Sequence, residues 1–308
     1  MVLDDITQEE VNTLLKEGKA PKYLTTTLPD GKEVPLIVVC KARIPESVRA
    51  DNVKRNIQRP VQRYMNLPYL MRQRADPIAL VGGGPSVAKY LDKIREFKAV
   101  MACGSAHDYL VTNGITPTYA LATDPAEETI NYYQHRSEKT MYLLASQCNP
   151  NMYEWLEDHA VVMWHFRGQI DDETVFQGEP QISWGCMVGV NAVQMALLLG
   201  YQHQHYFGYD CCVGARSHAY DLPEWENKEI NEARTIATIT SETGEQSQFC
   251  TTTALITQAA QILEVYKSED GMYLKGYVYG NGMFANIIRQ SPPTMANWLV
   301  AVDAHAAQ

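Results

Sequence analysis

Six short runs of residues, apolar almost throughout and separated by segments of mixed polarity, constrain this 308-residue chain more than any other feature. They are Ile78-Ala79-Leu80-Val81, Ala99-Val100-Met101-Ala102, Tyr119-Ala120-Leu121-Ala122, Met141 to Ala145, Val161-Val162-Met163-Trp164 and His205-Tyr206-Phe207. Between them the spacing predicts helices over 87–97, 106–113, 126–135, 151–157 and 186–199. A strand without alternation must be buried on both faces, which a parallel sheet covered by helices on each side provides. The expected fold is therefore α/β, a Rossmann-like doubly wound and mostly parallel sheet. A helix over 6–17 and two extended segments, 23–28 and 33–40 around Pro29-Asp30-Gly31, form a small N-terminal appendage. A polar stretch, 211–249, interrupts the alternation as a lid-like or irregular insertion. A helix over 251–267, a Tyr-rich strand within 271–279 and a helix over 284–290 complete the reading. The chain divides into 1–74 and a nucleotide-dependent domain, 75–308.

Charge narrows the partners. The 26 Lys and Arg against 36 Asp and Glu give a net charge of -10, which disfavours broad contact with nucleic acid. The charge is uneven, because residues 41–74 carry nine basic side chains against Glu46 and Asp51. That stretch is read either as a solvated face or subunit contact in a homo-oligomer, or as a contact for an anionic glycan or nucleic acid. Seven cysteines without a C-x-x-C pair read as reduced thiols in a cytoplasmic protein, and no zinc site is expected. No apolar run reaches the length of a membrane span, and the first thirty residues lack the pattern of a signal peptide.

Three motifs carry chemistry. Ile78 to Val81 runs into Gly82-Gly83-Gly84-Pro85-Ser86, where glycines permit a tight turn and close approach of a ligand, and Pro suits the first turn of a helix. This is neither a Walker loop nor a complete dinucleotide fingerprint, so a nucleotide-phosphate cradle and a structural turn both stand. Thr123-Asp124 ends the third run, where a carboxylate binds a ribose hydroxyl, metal or amine, or else caps the segment after Pro125. Gly208-Tyr209-Asp210 ends the sixth run and precedes His218, a natural general base beside a strand-end carboxylate or else a solvated loop histidine. The other histidines lack such a setting.

These motifs, with Asn113-Gly114-Ile115-Thr116-Pro117 before Tyr119 and the helical segment 183–199, resemble the 6-hydroxymethylpterin pyrophosphokinase MptE-like family, which takes in motility accessory factor glycosyltransferases. The Gly-x-Asp strand end, His218 and Asn281-Gly282-Met283-Phe284-Ala285-Asn286-Ile287-Ile288 are also similar to CstII-like sialyltransferases. Gly83 stands where many of those have Asn. The resemblance covers about residues 75 to 290. It implies that Gly82, Gly83, Gly84, Pro85, Ser86 and Thr123 line a nucleotide site, that Asp124 and Asp210 hold ribose or acceptor, and that His218 deprotonates the acceptor. Tyr209, Tyr220 or Tyr279 would assist the leaving group. The expected activity is transfer of a sugar from a nucleotide-sugar donor to a hydroxyl acceptor. The alternatives are diphosphate transfer from ATP to a hydroxymethyl group, with Mg2+ on Asp124 and Asp210, and a non-catalytic nucleotide-binding module.

Overall fold

The computed structural model describes residues 25–27, 33–35, 44–68, 70, 72–241, 244–268, 270–290 and 299–302. The helix expected over 6–17 lies outside them. The strands are β1 Thr25–Thr27, β2 Glu33–Pro35, β3 Gln62–Arg63, β4 Ile78–Val81, β5 Ala99–Cys103, β6 Tyr119–Ala122, β7 Met141–Ala145, β8 Ala160–Phe166, β9 Gln181–Ser183, β10 His203–Phe207, β11 Arg234–Thr240, β12 Gln246–Thr252, β13 Lys275–Tyr279 and β14 Leu299–Val302. One sheet has the order β14-β13-β10-β4-β5-β6-β7-β8-β3 with β9 beside β8. Its pairings are parallel, as expected from the unbroken apolar runs.

Burial on both faces explains those runs. Ile78 and Leu80 of β4 join a core with Met101 and with Val190 and Val193 of the helix Val188–Leu198. Ala79 and Val81 point the other way, toward Val100, Phe207, Ile94 of the helix Leu91–Arg95 and Leu110 of the helix Ala106–Thr112. At about 1.5–3 kcal/mol for each large apolar side chain removed from water, a polar residue at any of these positions would be strongly selected against by the physics of the sheet.

The element boundaries differ from the sequence reading in instructive places. The segment expected as one helix over 87–97 is a 3-10 turn, Pro85–Lys89, followed by the helix Leu91–Arg95. Tyr90 separates them, its ring packed against Phe207 and Tyr279. Residues 126–135 hold only a 3-10 turn, Glu127–Tyr132, entered through an Asp124 carboxylate that accepts from the Ala126 N–H at 2.8 Å. The polar insertion is not an irregular loop. It contains the helix Glu224–Glu232 and the hairpin β11–β12, and β11 pairs with β1, so that the N-terminal hairpin and the insertion share one antiparallel sheet, β12-β11-β1-β2. The strand character of β11 is carried by alternation alone, with Ala237 and Ile239 buried and Ile236 exposed.

The helix Glu46–Asn56 lies against the segments that follow β6 and β7, which its basic composition did not suggest. Asn56 donates through Nδ2 to the carbonyls of Ser146 (2.9 Å) and Cys148 (2.8 Å), and Asn52 donates to that of Gln147 (3.0 Å). These amides satisfy the carbonyls that follow β7 where the sheet hydrogen bonds end. Replacing Asn56 with Leu should orphan two buried carbonyls and lower the unfolding free energy by about 2–4 kcal/mol in a urea titration. Lys54→Ala, on the exposed face of the same helix, should change it by less than about 0.5 kcal/mol.

Candidate active site

The chain runs outward from β4 through β5, β6, β7 and β8, then returns to place β10 on the other side of β4. In an open α/β sheet the loops leaving two such strands diverge, and ligands bind in the crevice between them. A cavity of about 460 Å³ opens at this point and runs along the carboxyl ends of β10, β4, β5 and β6 to residues following β7 and β8.

Backbone contact builds the deepest part. Gly82 N–H donates to the carbonyl of Phe207 (2.8 Å), and Gly84 N–H to that of Gly208 (3.0 Å). A Cβ on Gly82 would lie 2.8 Å from the Gly208 oxygen, one on Gly84 2.5 Å from it, and one on Gly208 would collide with the Gly82 carbonyl. Gly208 also has φ +68°, a conformation open to glycine at little strain. The glycines expected to approach a phosphate thus approach each other first. Gly83 faces outward: a side chain there would collide with His218 and the Tyr220 hydroxyl. Its carbonyl accepts from Ala219 N–H at 3.0 Å, which docks the 217–220 loop on the glycine turn.

His218, Asp210 and Asp124 all line the cavity with Gly82, Gly83, Gly84, Thr123 and Tyr209. Burial depresses the His218 pKa to about 4, so the imidazole is neutral at pH 7. Its Nδ1 lies 3.1 Å from the Ser217 hydroxyl. Burial raises the Asp210 pKa, an effect opposed by its hydrogen bond from Ser86 N–H (2.9 Å). Asp124 is exposed, and the N–H of Ala126 occupies its Oδ1, so the capping geometry and a place in the cavity wall coexist.

Other expected residues lie elsewhere. Pro85 and Ser86 are not cavity walls, and the Ser86 N–H is turned to Asp210. Tyr279 packs among Phe207, Tyr90 and His205 on the far face of the sheet. Tyr209 lines the cavity, but its buried hydroxyl donates to the Gly189 carbonyl at 3.2 Å, and the Tyr220 hydroxyl donates to Ser105 Oγ at 2.6 Å. Sequence reasoning missed Tyr132, which lines the cavity and donates to Glu226 of the insertion helix. It also missed Gln147 and Arg49 in the wall. Only the presence of Arg49 within the basic stretch offered a signal. Among the described residues no three His, Cys, Asp or Glu side chains gather as metal ligands, and no helix is long and apolar enough to cross a membrane.

Comparison with known proteins gives the following likenesses. A family model described as 6-hydroxymethylpterin diphosphokinase MptE-like matches residues 49–216. The MAf glycosyltransferase from Magnetospirillum magneticum AMB-1 superposes with a TM-score of 0.55 at 14% identity, over 78% of this chain and 37% of its own. This chain therefore spans little more than a third of that protein, and the likeness is one of fold. The sialyltransferase CST-II in complex with CMP aligns at 17% identity and a TM-score of 0.40, over 73% of this chain and 90% of its own. CstII from Campylobacter jejuni, in complex with the substrate analogue cytidine-5'-monophosphate, aligns at 15% and 0.33, over 74% and 89%. No curated protein matches the chain by sequence.

Gly208→Ala combines left-handed strain with a backbone collision and should destabilise by on the order of 2–5 kcal/mol. Gly114→Ala has φ +75° but open space around its Cβ, and should lose only about 1–2 kcal/mol in the same denaturant titration. A second expectation concerns pH. With a folded value near 4 against about 6.5 unfolded, His218 contributes stability that is complete above pH 6.5 and lost as pH falls toward 4. Unfolding free energy of the wild type should fall in that window more steeply than that of His218→Gln, by up to about 1.4 kcal/mol per pH unit.

Proposed function

A chain more than half of which matches the MptE-like model belongs to that family, and on that premise we propose that the protein is a nucleotide-dependent transferase, moving a sugar from a nucleotide-sugar donor to an acceptor hydroxyl. The observation that carries this reading is the place of the His218 imidazole, in the cavity wall and against Gly83 where the sheet order reverses. A base must be unprotonated and within reach of the proton it takes. Nδ1 lies against Ser217 Oγ, and in the tautomer that donates Nδ1–H to that oxygen the acceptor nitrogen is Nε2.

In the proposed step the acceptor O–H gives its proton to His218 Nε2 and its oxygen attacks the anomeric carbon. The bond from that carbon to the phosphate oxygen breaks, and the electron pair leaves with the nucleotide. The three expected tyrosine hydroxyls are each engaged, with the Gly189 carbonyl, Ser105 Oγ and His205 Nδ1, which speaks against help to the leaving group from tyrosine. Asp210 acts by holding the Ser86 N–H and so the shape of that turn, and Asp124 is the carboxylate offered to ribose or acceptor.

The family description favours a second reading, diphosphate transfer from ATP. That reaction needs Mg2+ to offset the triphosphate beside Asp124, Asp210 and Glu226. Asp210 fits this role poorly, because burial biases it toward the neutral acid and one oxygen already accepts from Ser86.

CMP, UDP, GDP and ATP, with and without Mg2+, should be tested for shifts in melting temperature. A nucleotide that stabilises in EDTA supports the sugar-transfer reading, whereas stabilisation by ATP only with Mg2+ would overturn it. His218→Ala should lower release of nucleotide from the matching sugar donor roughly 10²-fold or more. Unchanged release would return the domain to a non-catalytic role.

A further inference from the structure

Arg49 has no part in the proton transfer just described, yet it lines the same cleft from the first turn of the helix Glu46–Asn56 while being 3% exposed. Among the described residues its guanidinium makes one hydrogen bond, from Nη1 to the Ile44 carbonyl at 3.2 Å. Nε is sealed from water without an acceptor, and no carboxylate among the described residues is within ion-pair distance. Neighbouring members of the basic stretch are treated otherwise. Arg59 pairs with Glu154 at 2.8 Å, and Arg63 with Glu179 at 2.9 Å. Arg74 donates to the Leu199 carbonyl and lies over the Tyr201 ring. A guanidinium withdrawn from water without a counter-charge is strongly unfavourable, and arginine does not relieve it by losing a proton.

A second orphan lines the same cleft. Gln147 is 5% exposed and lines the cleft; its Nε2 donates to the Thr123 carbonyl, and its Oε1 is buried with no donor. Asn52, one turn along the helix from Arg49, grips the Gln147 carbonyl at 3.0 Å and so holds the two side chains to one part of the wall. A cation lacking an anion and an acceptor lacking a donor together describe a ligand group: anionic oxygens next to a hydroxyl or N–H.

Position says which substrate bears that group. Gln147 follows β7, and the glycine turn follows β4, three strand spacings and about 14 Å away. One phosphate does not reach both. We propose that Arg49 and Gln147 form an anion subsite for the carboxylate or phosphate of the acceptor, so that the substrate opposite the nucleotide is acidic. The proposal rests on the transferase reading, and its test reports on the two separately.

Calorimetry with glucose, glucuronate, glucose 6-phosphate and CMP, on the wild type and Arg49→Met, makes the comparison. The wild type should bind glucuronate or glucose 6-phosphate about tenfold or more tighter than glucose, and whichever is preferred names the anion. In Arg49→Met that preference should fall to within about twofold, with CMP affinity unchanged. Should the Met variant not fold, Arg49→Gln is read by the same criteria. No preference in the wild type, or a preference surviving the substitution, overturns the proposal. Equal weakening of CMP assigns the anion to the donor phosphate and overturns the acceptor assignment. Absence of CMP binding throughout counts against CMP as donor nucleotide, while the sugar comparison still decides the subsite.

Discussion

The close approach of two glycine backbones at the sheet's switch point is the constraint on which the rest of the site depends. Gly82 and Gly84 donate to the carbonyls of Phe207 and Gly208, and no Cβ fits at any of the three glycine positions. This contact fixes where the chain leaves β4 and β10. It also turns Gly83 outward, where its carbonyl accepts from Ala219 N–H of the 217–220 loop. Asp210 completes the arrangement by accepting from Ser86 beneath the same turn. The glycine motif is thus a joint between strands before it is a surface for a ligand.

Burial then sets the electrostatics. It depresses the His218 pKa and raises that of Asp210, which moves both groups toward their neutral forms. Arg49 is the contrasting case, a guanidinium 3% exposed with no carboxylate within ion-pair distance among the described residues.

The parallel sheet was legible because double-sided burial leaves no room for alternation, so β4, β6 and β7 appear in the sequence at their observed limits. Strands read on one face, such as β11, or lacking an apolar run, such as β3 and β9, leave too little pattern. The same limit applied to side chains. His218 and Asp210 were readable as strand-end chemistry, but Tyr279 follows the alternation of its strand onto the opposite face, where aromatic packing holds it. Tyr132 and Glu226 are 94 residues apart, and nothing local in either segment announces their hydrogen bond.

By itself the sequence determined the α/β class, the two faces of the sheet and the strand-end motifs, because burial and turn geometry act over a few residues. Only the tertiary structure decided that the glycines serve one another, that the insertion and the N-terminal hairpin share a sheet, and that the buried arginine of the basic stretch has no carboxylate beside it among the described residues. Those outcomes depend on distance in space between segments far apart in the chain. Composition gives the same positive charge to Arg49, Arg59 and Arg63, and only packing supplies carboxylates to two of them.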